Sequence, residues 1–214
     1  MTADRRGKFE AQRDAIAEQL AHAVAHEGGG SLQQIRGKVR EVVATQAAQA
    51  ELVIAGSTGN YSHGEAEDAI NAVLFDAAAP LLLMPETVPT SLGARIAVAW
   101  ERSQAADEAV QAALPLLLAA DYVTVLVAAE RHARADMPAG IIEAMRRAGR
   151  EAVIRRFSFA GRDIGTAILA EAQEIGADLL VMGAFTHMRM FEALFGGATR
   201  EVLAGATIPL LLHH

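Results

Sequence analysis

The stretch Gly176–Pro209, GADLLVMGAFTHMRMFEALFGGATREVLAGATIP, decides the fold. Asp178 to Met182 is a short apolar run of buried-strand length, and a loop punctuated by glycine follows from Gly183 to Gly197. A helix begins near Gly197, and Pro209 leads one more apolar strand. A strand, a loop and a helix N-terminus in that order make the geometry that holds a phosphate. Loop amides point at the anion, and the helix dipole adds partial positive charge.

Upstream, the same alternation recurs. Strands are expected at 95–100, 122–128 and 152–157, and helices at 104–119, 139–150 and 162–175. Strands separated by helices of this length indicate a parallel sheet with right-handed crossovers. Earlier still, helices are expected over 8–26, 31–49 and 65–77, with strands at 52–55 and 81–84. The segment from Pro85 to Gly93, rich in proline and small residues, reads as a linker.

An internal repeat ties the two regions together. Ala50-Glu51-Leu52-Val53-Ile54-Ala55-Gly56 matches Ala177-Asp178-Leu179-Leu180-Val181-Met182-Gly183, and Pro80-Leu81-Leu82-Leu83 matches Pro209-Leu210-Leu211-Leu212. Residues 1–86 are therefore expected to form the C-terminal part of a second copy, 87–92 a linker, and 93–214 a complete domain.

Composition narrows the function. Of the 214 residues, 52% are apolar, so a sizeable core is available, and the net charge of −7 leaves no basic footprint for nucleic acid. There is no cysteine, which excludes disulfides and thiolate metal sites. No signal peptide is evident, and the longest apolar tract, Ala112–Ala129, is broken by Pro115 and Asp121, so neither membrane insertion nor export is expected. The expected location is the cytoplasm.

On these residues the chain resembles the universal stress protein family. The loop Gly183-Ala184-Phe185-Thr186, nine residues, then Gly196-Gly197-Ala198-Thr199 is similar to the family's G-x2-G-x9-G-(S/T). Ala99-Trp100-Glu101-Arg102-Ser103 and Ile208-Pro209-Leu210-Leu211-Leu212 follow the ends of its first strand and the start of its last. The resemblance implies an α/β fold: a five-stranded parallel sheet of order 3-2-1-4-5, helices on both faces, and here a partial second copy extending the sheet. It implies an adenine nucleotide, ATP or a relative with or without Mg, across the ends of the first and fourth strands, where an open α/β sheet also binds ligands on general grounds. Ala99, Trp100 and Glu101 would line the base and ribose, Val127 and Ala128 would close the base pocket, and Met182 would also belong to the nucleotide-binding set. Gly183, Phe185, Thr186, Gly196, Gly197, Ala198 and Thr199 would face the phosphates. Trp100 would either stack on the base or obstruct it.

Three positions depart from the pattern. Thr186 stands where the second glycine lets the backbone approach phosphate, Gly197 replaces a hydroxyl residue, and Glu101 replaces aspartate. The implied function is a non-enzymatic, nucleotide-responsive binding or regulatory protein. A ligand-free interaction module and a slow ATP hydrolase are the alternatives. No catalytic residue is assigned: there is no Gly-x-Ser-x-Gly elbow, and Glu101 has no partner base. No metal site is assigned either, because Glu18, His22 and His26 share a helix face without a fourth ligand. Gly56-Ser57-Thr58-Gly59-Asn60 lacks the Gly-Lys-Ser/Thr of a P-loop and reads as a surface turn.

Two expectations concern assembly. In the family, last strands commonly pair antiparallel across a dimer axis, which here implies that Leu81–Met84 pairs with Leu210–His213 inside one chain. The strand Leu52–Ala55 would then keep an open apolar edge, and such an edge invites a second copy, giving a homodimer.

Overall fold

The computed structural model describes residues 30–31, 33–56, 64–87, 89–129, 138–184 and 197–214. The predicted helix over 8–26, with His22 and His26, lies outside them, as do Ser57–Asn60. The chain divides into two compact units, Met1–Gly37 and Lys38–His214. In the first, the described residues 30–31 and 33–37 are neither helix nor strand. The helix expected over 31–49 is shorter, α1 at Val39–Ala47. Gly37 stands immediately before its cap, and glycine costs about 1 kcal/mol in a helix interior.

The second unit runs β1 (Val53–Gly56), α2 (Glu65–Asn71, continuing as a π-helical turn over Ala72–Asp76), β2 (Leu81–Met84) and β3 (Arg95–Trp100). It continues with α3 (Gln104–Ala119), β4 (Tyr122–Ala128), α4 (Ala139–Arg147), β5 (Ala152–Phe157) and α5 (Ile164–Glu174). β6 (Leu179–Gly183), α6 (Gly197–Gly205) and β7 (Leu210–His213) complete it. Helix α3 runs through Pro115. The carbonyl that loses its partner belongs to Gln111 on the exposed face, where water can replace the missing N–H.

The seven strands form one sheet of order β1-β2-β7-β6-β3-β4-β5. From β5 inward to β7 this is the 3-2-1-4-5 order, and every pair in it is parallel. Beyond β7 the sheet continues into the partial copy. β2 pairs antiparallel with β7, Leu81 opposite Leu212, Leu82 opposite Leu211 and Leu83 opposite Leu210, and β1 pairs parallel with β2. The expected pairing of the two last strands inside one chain is thus present.

Two cores follow from the two-residue period of the strands. One face carries Leu81, Leu83, Ala97, Leu126, Leu180, Leu210 and Leu212, covered by α2, α5 and α6 through Ile70, Leu74, Ile168 and Val202. The other carries Leu82, Ile96, Val98, Val125, Val181 and Leu211, covered by α3 and α4. Alanines at 106, 109 and 113 let α3 lie close to the strands. Arg40 of α1 donates twice to the Asp76 carboxylate, at 2.6 and 2.8 Å, fastening α1 to the π-helical turn. Those hydrogen bonds hold the Asp76 carboxyl below its ordinary range. Their contribution is complete at neutral pH and is lost as the pH falls through that lowered value.

Asp178 ties the start of β3 to β6. Its carboxylate accepts the amides of Ala94 (3.1 Å) and Arg95 (2.8 Å), and its own amide donates to the carbonyl of Arg95 (2.9 Å). The residues that open β3 are thereby held at the start of β6. Asp178→Ala is expected to lower stability by about 2 kcal/mol, the scale of a hydrogen bond to a charged group, read as a lower urea midpoint with an unchanged slope.

Candidate functional site

The site lies where the strand order reverses. β3 has β4 on one side and β6 on the other, and the C-terminal ends of β3 and β6 open toward the N-terminus of α6. Ser103 caps α3 just beyond β3, its hydroxyl accepting the amide of Ala106 at 3.1 Å. That gives the serine after Glu101 a structural task. Glu101 is half-buried, and its carbonyl accepts the amide of Ser103 at 2.9 Å.

Alternation along the strands divides the predicted base-pocket residues between the two faces. Ala99, Ala128 and Met182 belong to the face covered by α5 and α6. Trp100, 9% exposed, and Val127 are built into the opposite core beneath α3 and α4. A molecule at the N-terminus of α6 lies on the first face. Side chains of Ala99, Ala128 and Met182 can meet it there, while Trp100 and Val127 can offer only backbone.

Gly183 ends β6 against the first turn of α3. A Cβ there would lie 2.6 Å from the amide nitrogen of Ala106 and 2.7 Å from the carbonyl carbon of Ala105. Glycine is required at this point by packing alone. Gly197 opens α6 and is exposed, Ala198 is half-buried, and Thr199 is buried. Phe185, Thr186 and Gly196 lie outside the described residues, as do His187 and Arg189.

Two features were not legible in the sequence. The Glu201 carboxylate accepts the amide of Gly165 at 2.7 Å, so a side chain of α6 caps the first turn of α5. The helices come close enough for this because a Cβ on Gly165 would sit 2.6 Å from the carbonyl oxygen of Ala198. Glu201 thereby sets the position of α6, whose N-terminus faces the site. The signal was one glycine in the first turn of a helix, which periodicity alone does not mark as a contact. The second feature is the C-terminal histidine pair. The amide of Ala184 donates to the carbonyl of His213 at 2.7 Å, and Nδ1 of His214 lies 2.9 Å from the carbonyl oxygen of Ala184. The His214 ring stands edge-on to Phe75 at 4.5 Å, so the partial copy braces the base of the loop.

No cluster of three or more His, Asp or Glu that could hold a metal occurs among the described residues. Nor is any helix among them long and apolar enough to cross a membrane.

A parallel five-stranded sheet in this order, with helices on both faces, defines an open α/β fold of the doubly wound class. Within that class the chain belongs to the universal stress protein family. The profile described as "Universal stress protein family" matches residues 94–214, more than half of the chain. Among solved structures, a universal stress protein from Archaeoglobus fulgidus DSM 4304 superposes with a TM-score of 0.75 at 16% identity, over 100% of this chain and 80% of that one. A putative universal stress protein from Pseudomonas aeruginosa UCBPP-PA14 gives 0.59 at 17% identity, over 95% and 77%. At these identities the likeness is one of fold. No curated protein matches the chain.

The packing around Gly183 makes a test that needs no ligand. Gly183→Ala is expected to cost about 1–3 kcal/mol, because the obstacles are backbone atoms of α3 that cannot turn aside, and to lower the thermal midpoint with or without nucleotide.

Proposed function

We propose that the protein binds an adenine nucleotide without consuming it and responds to it as a regulatory binding protein. The observation that carries this reading is the start of α6. Its first turn, opening at exposed Gly197, stands beside the ends of β3 and β6 at the switch point of a parallel sheet. Free amides of a first helical turn favour an anion, and the switch point is where such sheets take their ligands. Ala99, Ala128 and Met182 share the face covered by α5 and α6, and in this reading a flat apolar base lies against them.

In this reading Phe185, Thr186, Gly196, Gly197 and Ala198 meet the phosphates, chiefly through backbone. Thr199, being buried, supports the turn from behind. Glu101 is the carboxylate at the end of β3 that would meet a ribose or a magnesium ion carried in with the phosphates. We take residues 1–86 as a partial second domain, 87–92 as a linker and 93–214 as the complete one. The working protein is taken to be a cytoplasmic homodimer.

Two substitutions restore the family's pattern. Thr186→Gly removes a Cβ where the backbone must approach phosphate, and Gly197→Ser returns a hydroxyl donor. The new Cβ at 197 would lie 3.2 Å from Oε1 of Glu201, a flexible oxygen that can give way. Calorimetry with ATP, with and without Mg²⁺, should show weak binding by the unmodified protein. Each substitution should tighten it by roughly tenfold, about 1.4 kcal/mol. Absence of binding in all three forms would favour the ligand-free interaction module, and multiple turnover of ATP would favour the hydrolase.

A further inference from the structure

At the end of the sheet opposite the candidate site, β3, β4 and β5 begin beside the last turn of α5, and a cleft of about 310 Å³ opens there. All its lining residues belong to the unit Lys38–His214. Its floor is the sheet face that carries Leu126 and Ala128. By alternation, Tyr122 and Thr124 stand on that face of β4, and Arg95 and Arg155 on the same face of its two neighbours. The register sets Arg95 beside Tyr122, and Thr124 between Ala97 and Val153. The two arginines of the cleft are not equivalent. Arg155 holds Glu171 at 2.5 Å and Glu174 at 2.6 Å, so its guanidinium is occupied. The Arg95 guanidinium makes no ion pair among the described residues and lies over the Tyr122 ring, 4.3 Å from its centroid. Both oxygens of the Asp178 carboxylate are taken by the backbone amides of Ala94 and Arg95. The Thr124 hydroxyl is half-buried and makes no hydrogen bond among the described residues. A guanidinium without a carboxylate and a hydroxyl without a partner therefore line one cleft, where buried polar groups ordinarily find partners.

We propose that this cleft binds a small monocarboxylate with an apolar body. A guanidinium stacked on an aromatic ring keeps its N–H fork open, and that fork matches the two oxygens of one carboxylate. Arg95 supplies the fork, and the Thr124 hydroxyl donates to the same group. The apolar body lies against the Tyr122 ring, 60% exposed, and Ile175, with Val153, 63% exposed, extending the surface on the far side of Thr124. The opposite wall limits the charge of the ligand. Glu171 and Glu174 outnumber Arg155 there by one, and the carbonyl end of α5 adds partial negative charge. A second negative charge on the ligand would be driven against that wall. Phosphate and dicarboxylates are therefore disfavoured, and a monocarboxylate is the anion that fits. The cleft uses no residue of the switch point, so this inference stands apart from the nucleotide reading.

The test is a titration of the full chain, labelled with nitrogen-15 and free of nucleotide, with sodium butyrate at constant ionic strength. The Arg95 side-chain resonance and the amides of Tyr122, Thr124 and Ile175 should shift together and saturate. A Kd on the order of 1 mM is the scale expected of so small a ligand. Inorganic phosphate and succinate should bind at least about tenfold more weakly, because their second charge meets the Glu171–Glu174 wall. Arg95→Gln should abolish saturation below about 50 mM butyrate. The side chain is exposed and the backbone amide bond to Asp178 is kept, so the spectrum away from the cleft should not change. Thr124→Val keeps the shape of the residue and should weaken butyrate by about tenfold, the loss of one hydrogen bond to a charged group. Absence of saturable shifts in the unmodified protein would overturn the proposal. So would saturation that survives Arg95→Gln, or phosphate binding as tight as butyrate, which would show an exposed arginine attracting any anion.

Discussion

The antiparallel contact between β2 and β7 holds the two parts of the sheet together, and its register governs both cores. With Leu81 opposite Leu212 and Leu82 opposite Leu211, residues that share a face on one strand meet residues that share it on the other. A slip of one residue would turn Leu82 into the core of Leu81 and exchange every apolar side chain of β1 and β2 between faces. Because three leucines stand on each strand, the pattern of residue types alone leaves this register open. The covering elements fix it. α2 offers Ile70 and Leu74 to the Leu81 face, and α3 lies over Leu211 on the other.

How much of this could be read beforehand depended on the range of the interaction. Strand order and the β2–β7 pairing followed from apolar runs, from two matched segments and from a family resemblance, all of which survive in a linear chain. The face to which a strand residue turns was available in principle from parity. Trp100 alternates with Ala97 and Ala99 and shares the face of Ile96 and Val98. The shortened α1 was lost for a local reason, because apolar spacing continued through Ile35 while Gly37 interrupted the backbone. The Glu201–Gly165 contact joins residues on different helices, and nothing in either helix alone announces it.

The glycines around the candidate site carry a general point about motif reading. Gly183 and Gly165 are both required by close backbone packing, one against α3 and the other against α6. In a nucleotide-binding loop the same residue type is required by the approach of a phosphate. A spacing of glycines therefore reports crowding without naming what crowds. Where helices press on the loop from both sides, a chain can keep its glycines for the sake of the scaffold.

Placing the β2–β7 contact inside one chain also changes its kinetics. The ends of β2 and β3 at one end of the sheet are separated by β7 and β6, a span of about 14 Å from the strand spacing, and the 85–94 connection bridges it with slack. Two separate molecules would find this pairing by a second-order encounter and lose it on dilution. Joined by a short connection, the partners face each other at an effective concentration on the order of millimolar, and the pairing becomes a first-order event that dilution cannot reverse. Freed from the need to be identical, the two strands can also drift apart in sequence. Met84 has already parted from His213 at equivalent ends.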